Sequence, residues 1–423
     1  MPYYKAVILV GGPQKGTRFR PLSLDCPKPL FPIAGHPTIE HHIEKLSQVP
    51  GLKDIVIIGF YQSSDQISEF VAEVQRKYGV NIRYLQEYAP LGSGGGMYHF
   101  RDQLLMGNPD ALFVLNADVC GDLPLSEMAE ALRNNSQACG IILSTEATRE
   151  QAPNYGCLVI DRQTSEVLHY VEKPTTFVSA MINCGVYIFT RSVFQHLSNA
   201  FQEKVENVAK GIFEMGEHAA ETIWFEEEVF PKLASTKTFY AYHTTRWWSQ
   251  LKSAAAAIYA NRHCLSLYRK THPERLAVDG NPATIIGDVH VHPTAKVHPS
   301  AVIGPNVSIG KNVVVGAGVR IKESIILPGV TLQDHCCILH SIVGWNSTVG
   351  TWARVEGTPI GPNPNVPFAK LENKPLFNAD GRLNPNITIL GSKVQIPGEV
   401  VVMNSIVLPH KELNVSYKNQ IIL

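Results

Sequence analysis

Apolar residues follow two different patterns along this chain of 423 residues. In the first half, short apolar runs alternate with stretches whose apolar residues recur every three or four positions, which predicts strands alternating with helices. The predicted strands are Ala6–Val10, Ile55–Gly59, Ile82–Leu85 and Ala111–Leu115, and the predicted helices are Ile39–Gln48, Gln66–Lys77 and Gly95–Leu105. This alternation is typical of a parallel sheet with helices on both faces.

The C-terminal part follows a period of six residues. Aliphatic residues stand at eight successive positions of this period, which are Ile285, Val291, Val297, Ile303, Ile309, Val315, Ile321 and Leu327. A six-residue period with an inward aliphatic residue predicts a parallel β-helix of triangular cross-section, with coils about 4.8 Å apart. The pattern indicates that the repeat slips after Leu327, resumes at Val343, Val349 and Val355, and returns at Leu390, Ile396 and Val402.

A segment rich in proline, glycine and asparagine interrupts the repeat from Glu356 to Asn386. Long loops in compact domains are usually functional or disordered, so two interpretations stand. The segment is either a surface excursion or a regulatory loop that contacts a partner. In the second case its apolar residues are the candidate contacts, namely Val366, Phe368, Leu371, Leu376 and Phe377.

These patterns predict an α/β domain over residues 1–246, a helical connector over 247–282, and a β-helix domain over 283–423 with an inserted loop at 356–386. Lys plus Arg and Asp plus Glu number 37 each, and this balance argues against nucleic-acid and membrane partners. The first strand leaves no room for a signal peptide, and no apolar run reaches about 18 residues. Eight scattered cysteines without a C-x-x-C pair fit a cytoplasmic protein.

The stretch with the clearest chemistry follows the first predicted strand and reads GGPQKGTRFRPLSLDCPKPL. Backbone N–H groups of a glycine-rich turn such as Gly11-Gly12 can approach phosphate oxygens closely, because no Cβ blocks them. Arg18, Arg20 and Lys28 add positive charge for a polyphosphate.

This stretch resembles the signature of the sugar-nucleotide pyrophosphorylases, which join a nucleoside triphosphate to a sugar 1-phosphate. The resemblance implies a Rossmann-like nucleotidyltransferase domain, and hexapeptide proteins imply that the β-helix is left-handed. It also implies that Arg18 stabilises developing charge and that Lys28 contacts the nucleotide phosphates. Asp118 ends the strand-like run Phe113–Asp118 and, by resemblance, holds a metal ion; a helix cap is the competing role.

Further motifs follow in the order of that family. They are Pro90–Gly96 after Gln86 and Glu87, then Asn154-Tyr155-Gly156, Val171–Pro174 and Ile182–Gly185. The resemblance assigns the first to the base and the other three to the sugar and its phosphate. The nucleotide- and sugar-binding residues that it implies are Gly11, Gly12, Gln86, Gly92, Asn116, Asp118, Gly156, Glu172, Lys173 and Asn183.

Two departures from the family pattern affect catalysis. Pro13-Gln14-Lys15 lengthens the phosphate turn, and Gln250 stands where catalytic relatives carry a second metal-binding Asp after the Trp that aligns with Trp248. A neutral Gln is a poor ligand for a hard divalent cation. We therefore expect an incomplete catalytic set, weak Mg²⁺ binding at Asp118, and no required cofactor.

The whole chain resembles the alpha subunits of eukaryotic mannose-1-phosphate guanylyltransferases. The long turn, Trp248-Ser249-Gln250, the interrupted β-helix and the final HKEL…NQIIL stretch carry this likeness. It implies a regulatory subunit that binds GDP-mannose and feedback-inhibits a catalytic beta subunit. The flat faces and open end of the stacked coils also lead us to expect association with a similar chain, including self-association.

Two other functions stay open from the sequence. One is an active enzyme that makes GDP-mannose and diphosphate from GTP and mannose 1-phosphate. The other is an acyltransferase, because β-helices of this kind often carry a catalytic His, and His290, His292 and His298 are available.

Overall fold

A computed structural model describes residues 2–12, 17–62, 65–210, 221–234, 236–278, 283–372 and 374–423, with the backbone alone for Arg18 and Asp65. The chain divides into two compact units. The first unit comprises residues 1–15, 39–248 and 363–370, and the second comprises residues 16–38, 249–362 and 371–423. Each unit therefore includes a segment whose neighbours in sequence belong to the other.

The regular elements agree in kind with the two patterns of the sequence. The helices are α1 (Thr38–Ser47), α2 (Asp65–Tyr78), α3 (Gly92–His99), α4 (Arg101–Leu105), α5 (Leu125–Asn134), α6 (Val193–Ala209), α7 (Phe230–Leu233) and α8 (Ala254–Thr271). The strands that precede the β-helix are β1 (Tyr4–Gly11), β2 (Pro32–Ile33), β3 (His36–Pro37), β4 (Leu52–Gly59), β5 (Asn81–Gln86), β6 (Ala111–Asn116), β7 (Val119–Gly121), β8 (Gly140–Glu146), β9 (Cys157–Ile160), β10 (Val167–Val171), β11 (Met181–Thr190), β12 (Phe239–His243) and β13 (Trp248–Gln250).

The first unit is built on one mixed sheet with the order β10-β9-β11-β6-β1-β4-β5, in which β8 pairs with β11 and β12. The four strands predicted from the alternation, β1, β4, β5 and β6, are parallel to their neighbours among themselves. The parallel arrangement ends at β11, which runs antiparallel to β6 and to β8. The predicted helix over 95–105 is two helices, since α3 ends at His99 and α4 begins at Arg101.

Stacked aromatic rings fill the core of the first unit behind the sugar-side motifs. Phe225 stacks on Phe189 and Phe230, with ring centroids 5.6 and 5.5 Å apart, and Phe230 stacks on Phe239 at 5.3 Å. All four rings are fully buried. A buried Phe contributes about 1.5–3 kcal/mol, so this cluster fixes β11, β12 and the turn Phe225–Val229 against one another.

The second unit carries three parallel sheets consistent with a left-handed β-helix. Two sheets have seven strands and one has five. The first sheet contains β14 (Thr284–Ile285), β17 (Val302–Ile303), β20 (Arg320–Lys322), β23 (Cys337–Leu339), β26 (Arg354–Glu356), β29 (Val401–Met403) and β31 (Tyr417–Lys418). The second contains β15 (Val289–Val291), β18 (Val307–Ile309), β21 (Ile325–Ile326), β24 (Ser341–Val343), β27 (Thr388–Leu390), β30 (Ile406–Val407) and β32 (Ile421–Ile422). The third contains β16 (Lys296–Val297), β19 (Val314–Val315), β22 (Thr331–Leu332), β25 (Thr348–Val349) and β28 (Gln395–Ile396).

The prediction for Leu327 was wrong, because the repeat shortens one step earlier than the pattern indicated. Ile326 pairs with Ile309 and lies in the β-helix core, whereas Leu327 is buried but outside that core. The paired residues Ile303 and Ile321 are one 18-residue coil apart, and Ile321 and Ile338 are one 17-residue coil apart. The short step lies between β20 and β21, where Glu323 turns the corner with a φ of 48°.

The inserted loop leaves the β-helix between β26 and β27, which join the same two sheets as β20 and β21. Its base is closed by the Thr358 N–H, which donates to the Asn386 carbonyl at 3.1 Å. The predicted helical connector over 247–282 is helical only in part, because Trp248–Gln250 is a strand and α8 spans Ala254–Thr271. No helix among the described residues is long and apolar enough to cross a membrane.

Candidate sugar-nucleotide site

The four residues assigned to the sugar side meet in one hydrogen-bonded cluster of the first unit. Asn183 Nδ2 donates to the Tyr170 hydroxyl at 3.1 Å, and that hydroxyl donates to Glu172 Oε2 at 2.8 Å. Lys173 Nζ donates to the other Glu172 oxygen. The sequence motifs in β10 and β11 are therefore joined through a tyrosine that the sequence reading did not single out.

Asn183 is the centre of this cluster, and it is only 8% exposed. Besides Tyr170, its amide donates to the Tyr187 hydroxyl at 2.9 Å, and its Oδ1 accepts the Gly185 N–H at 2.7 Å. Both amide hydrogens are thus used inside the protein, which leaves only an oxygen lone pair for a ligand. Asn183 orients the tyrosines in this structure, and its predicted contact with the sugar stays a prediction.

Gly156 faces the same cluster and is a glycine for steric reasons. A Cβ at Gly156 would lie 2.1 Å from the Tyr170 hydroxyl and 2.7 Å from Glu172 Oε2. The Gly156 carbonyl also accepts the Asn183 N–H at 2.8 Å, which ties the loop after Tyr155 to β11. The absence of a side chain at Gly156 is what lets Tyr170 and Glu172 approach this loop.

Burial sets the protonation of the tyrosines in the cluster. It raises the pKa of Tyr170 and of Tyr187 well above the ordinary value of 10, and nearby carboxylates act in the same direction. Both hydroxyls therefore keep their protons and can orient the Glu172 and Asn183 side chains.

Lys173 holds a φ of 42°, a left-handed conformation that is unusual for a residue with a side chain.

The residues assigned to the nucleotide lie at one edge of the parallel strands. Gly11 pairs with Gly59, Gly59 pairs with Gln86, and Leu9 pairs with Asn116, so the carboxyl ends of these strands share an edge. Ligands of α/β sheets bind outside this edge. Gly185, at φ 72°, allows Asn116 to approach the sugar cluster, because a Cβ there would lie 2.9 Å from Asn116 Nδ2.

Asp118 is half-buried beyond the end of β6, and it lies near a buried histidine. His42 is 2% exposed, and its Nε2 has no hydrogen-bond partner among the described atoms. Burial lowers the pKa of His42 to about 4, while the Asp118 carboxylate acts in the opposite direction. His42 is therefore a neutral neighbour of Asp118 that the sequence motifs did not indicate.

The glycine-rich turn that begins at Gly92 is explained by packing inside the protein. The Ile223 carbonyl accepts the N–H groups of Gly94 and Gly95 at 2.8 and 3.1 Å. A Cβ at Gly92 or Gly95 would lie 2.4 Å from the Ile223 oxygen or 2.3 Å from the Glu221 oxygen, respectively. The predicted role of Gly92 with the base is untested, and the close backbone is sufficient to require the glycines.

Glu226 is a candidate site residue that the sequence reading missed. Its carboxylate accepts the Ser93 hydroxyl at 2.8 Å, and Ser93 Oγ accepts the Phe225 N–H at 3.0 Å. Burial raises the pKa of Glu226, with Glu172 adding to the rise and Lys173 opposing it. Glu226 thus links the glycine-rich turn to the sugar cluster, and only the acidic run Glu226-Glu227-Glu228 pointed to it in sequence.

Several predicted residues are not part of this cluster. Pro13, Gln14 and Lys15 lie outside the described residues, and no side chain is described for Arg18. Lys28 belongs to the second unit, where its ammonium lies 5.8 Å from the centre of the Phe19 ring. The loop residues Val366, Phe368, Leu376 and Phe377 are 42–48% exposed.

The residues present do not fit a complete Mg²⁺ site. Gln250, whose Oε1 is buried without a hydrogen-bond partner among the described atoms, offers a neutral oxygen and no carboxylate. Asp118 is the one acid that the resemblance assigns to a metal ion. Within the described ranges, no three His, Cys, Asp or Glu side chains come together as a metal site. We derive no chemical step through a metal ion.

The three histidines considered for acyl transfer are already engaged within the second unit. His290 is buried, its Nδ1 bonds the Arg275 carbonyl at 2.9 Å, and burial lowers its pKa to about 4. His292 and His298 bond through Nδ1 to Thr294 and Ser300, at 2.9 and 2.8 Å. His292 and His298 follow strands of different sheets, β15 and β16.

Two family models match the two architectures of the chain and give its class, that of the nucleotidyl transferases. The nucleotidyl transferase family model matches residues 5–244, and the GMPPB C-terminal domain model matches residues 285–422. In fold, the chain is similar to a Bacillus anthracis protein described as a glucose-1-phosphate thymidylyltransferase. That likeness has a TM-score of 0.50 and 20% identity, and it covers 61% of this chain and 94% of the other.

Relatives that match over their full length identify the family within the class of nucleotidyl transferases. The chain is 59% identical to the zebrafish (Danio rerio) mannose-1-phosphate guanylyltransferase regulatory subunit alpha-A over 421 residues, which cover 99% of this chain and 100% of the relative. It is 57% identical to the human (Homo sapiens) mannose-1-phosphate guanylyltransferase regulatory subunit alpha over 425 residues, with the same coverage. The chain belongs to the family of mannose-1-phosphate guanylyltransferase regulatory subunits alpha, and the resemblance found in its sequence is confirmed.

Proposed function

We propose that this chain senses GDP-mannose for a mannose-1-phosphate guanylyltransferase. It binds the sugar nucleotide in the first unit and lowers the activity of a catalytic beta subunit when GDP-mannose accumulates. The names of the relatives, which call them regulatory subunits, support the regulatory role. Binding of GDP-mannose, feedback inhibition and self-association are parts of the proposal.

One contrast carries the proposal. The sugar-side cluster of Gly156, Tyr170, Glu172 and Asn183 is assembled and hydrogen-bonded. On the metal side, Gln250 offers a neutral amide where catalysis by a divalent ion requires a second carboxylate. A chain that keeps recognition of the sugar and lacks the second carboxylate for a catalytic metal ion suits binding without turnover.

The cluster also indicates how a sugar would be held. A carboxylate such as Glu172 accepts hydrogen bonds from neighbouring sugar hydroxyls, and Lys173 beside it provides charge for a sugar phosphate. The hydroxyl of Tyr170 fixes Glu172 before the ligand arrives, which reduces the ordering cost of binding. Recognition of mannose in place of another hexose is part of the proposal.

Calorimetric titration of the purified chain with GDP-mannose, together with a turnover assay, tests the function. We expect saturable binding, and we expect Glu172→Gln to weaken it by about 10- to 100-fold, because a hydrogen bond to a charged group is worth about 1.5–3 kcal/mol. Glu206→Gln, a change at an exposed carboxylate on α6, is the matched control and should leave the affinity unchanged.

Synthesis of GDP-mannose is the competing function, and Asp118 at the carboxyl edge of the sheet favours it. The turnover assay supplies GTP, mannose 1-phosphate and Mg²⁺. A rate on the order of 1 per second or more would establish an ordinary enzyme and overturn the proposal. Gln250→Asp alone should not produce full activity, since the phosphate turn keeps the extra residues Pro13, Gln14 and Lys15.

A further inference from the structure

Residues 363–370 of the inserted loop, called here the docking segment, count with the first unit although their neighbours on both sides count with the second. Most of the segment is exposed, but Ala369 and Lys370 are half-buried. The contacts of Lys370 therefore attach the docking segment to the first unit. They involve Gln151 and Trp248, which lead to residues next in sequence to Gly156 and Asn183.

Gln151 holds the main chain of the docking segment. Its Nε2 donates to the Lys370 carbonyl at 2.7 Å, and its Oε1 accepts the Lys370 N–H at 2.7 Å. A carboxamide that pairs with both polar groups of one residue fixes the position of that residue as a neighbouring strand would. Gln151 directly precedes the short helical turn Ala152–Asn154, which leads to Tyr155 and Gly156.

The side chain of Lys370 lies over an aromatic residue of the site. Its Nζ is 5.7 Å from the centre of the Trp248 ring, a distance at which a cation is attracted to the ring face. Trp248 in turn donates from Nε1 to the Cys184 carbonyl at 2.9 Å and packs edge-on against Tyr155. Cys184 follows Asn183, and Tyr155 precedes Gly156, so the ring beneath the ammonium contacts residues next to two members of the cluster.

The charge around Lys370 is suited to an anion. Burial lowers the pKa of Lys370, and the Cys184 thiol and the Glu146 carboxylate partly oppose this effect. Glu146 is the nearby acid that acts on it, and it is also within 3.9 Å of His243. An anionic ligand next to the ammonium would offset its burial, whereas a neutral ligand would not.

We propose that Lys370 contacts the diphosphate of the bound sugar nucleotide, so that ligand binding and docking of residues 363–370 stabilise each other. This inference rests on the proposed function, because it assumes that the first unit binds a sugar nucleotide. The lysine would bring a positive charge to the diphosphate in a chain whose sequence has Gln250 in place of a metal-binding Asp. By linkage, a ligand that favours the docked segment is itself bound more tightly when the segment is docked.

The docked segment leaves its apolar side chains outward. Val366 and Phe368 are 42% and 48% exposed, within four residues of the anchored Lys370. Occupancy of the sugar-nucleotide site then determines how firmly these two side chains are held. This provides a direct physical connection between ligand concentration and a surface of the loop.

Binding affinity provides the first test. Lys370→Met keeps the length of the side chain and removes its charge, and we expect the affinities for GDP-mannose and for GDP to fall together by about tenfold. Lys374→Met is the matched control, because Lys374 is 74% exposed and its ion pair is with Glu372. If Lys370→Met binds both ligands as the unchanged chain does, the proposed contact with the diphosphate is wrong.

Hydrogen exchange at the Lys370 amide provides the second test. Without ligand, Gln151→Ala should speed this exchange by at least tenfold, whereas Gln163→Ala, at an exposed site, should not. Saturating GDP-mannose should slow it further in the unchanged chain. Faster exchange with ligand would mean that segment and ligand compete, and would overturn the coupling. If the unchanged chain does not bind GDP-mannose at all, the proposed function is wrong, and the coupling is wrong with it. The exchange rates of Gln151→Ala and the unchanged chain without ligand still show whether the segment docks.

Discussion

At Gly156 the site leaves no space for a methyl group. Gly156→Ala would place a Cβ 2.1 Å from the Tyr170 hydroxyl, and Tyr170 is too deeply buried to move away freely. We expect the hydroxyl to lose its bond to Glu172, GDP-mannose binding to fall by at least tenfold, and the free energy of unfolding to drop by about 1–3 kcal/mol. Calorimetry and urea unfolding measure the two effects.

Gly361→Ala is the control for this change. A Cβ at Gly361 has no heavy atom within 4 Å, so both the affinity and the stability should stay within experimental error of the unchanged chain. Equal affinities of the Gly156→Ala variant and the unchanged chain would show that the packed arrangement of Tyr170 and Glu172 is not needed for binding.

At the scale of single residues, the sequence analysis identified polar residues that lie in recognisable motifs. It missed polar residues that lie outside such motifs. Gly156, Glu172, Lys173 and Asn183 form one cluster, and their contacts with a sugar and its phosphate stay a prediction. Tyr170 and Tyr187 were missed because a tyrosine in an apolar strand looks like any core residue until its hydroxyl partners are known. Glu226 was missed because its partners Ser93 and Glu172 are far from it in sequence.

Among the elements, the short corner of the β-helix contains buried hydroxyl groups in successive coils. Ser324 Oγ donates to the Lys322 carbonyl at 2.7 Å and accepts the Ser341 N–H at 3.2 Å. Ser341 Oγ repeats the first bond to the Leu339 carbonyl at 2.7 Å. Further along, the Ser405 N–H donates to Thr388 Oγ1 at 3.3 Å. These hydroxyls satisfy backbone groups that the five-residue step leaves out of the sheet ladder.

Ser324→Val tests this role, since valine has the shape of threonine without the hydroxyl. We expect a loss of about 1–3 kcal/mol in the free energy of unfolding, because the buried Ser341 N–H is left without its acceptor. Ser324→Thr should be close to neutral, as Thr388 occupies the equivalent position in a later coil. Equal stability of the two variants in chemical unfolding would contradict a role for the hydroxyl.

The same corner explains why the sequence prediction of the β-helix failed locally. Ile326 and Leu327 are both aliphatic, so a strict period of six residues does not detect the shortened step. It selects Leu327 as the inward residue, although Ile326 lies in the core. The small, buried residues Ser324 and Ser341 marked the change, but a search for aliphatic residues does not register them. Elsewhere the six-residue period was sufficient to predict the inward residues, because each strand contributes one inward side chain to the core.

For the whole molecule, the assignment of segments to the two units was the least predictable feature. Pattern and composition placed residues 16–38 with the first domain and 363–370 with the β-helix domain, and the structure groups both segments the other way. Long-range contacts such as that between Gln151 and Lys370 have no local signature, because a glutamine and a lysine are ordinary surface residues in sequence.

The loop offers a way to separate binding from regulation. The double change Val366→Ser with Phe368→Ser removes two exposed apolar side chains and keeps Lys370 and its partner Gln151. If these side chains anchor on the catalytic subunit, its inhibition by GDP-mannose should be lost or weakened by at least tenfold, since apolar anchors commonly contribute 2 kcal/mol or more, as an order of magnitude. The affinity of the variant for GDP-mannose should remain that of the unchanged chain.

The measurement is the turnover of the catalytic subunit, mixed with the unchanged or the changed chain, over a range of GDP-mannose concentrations. A matched control replaces two exposed valines elsewhere, Val205→Ser with Val415→Ser, which are 44% and 58% exposed. The control should inhibit normally, and Lys370→Met should inhibit at about tenfold higher GDP-mannose, because its defect lies in ligand binding. An unchanged inhibition curve for the loop variant would place the inhibitory contact outside Val366 and Phe368, and would leave the loop only its role in the binding site.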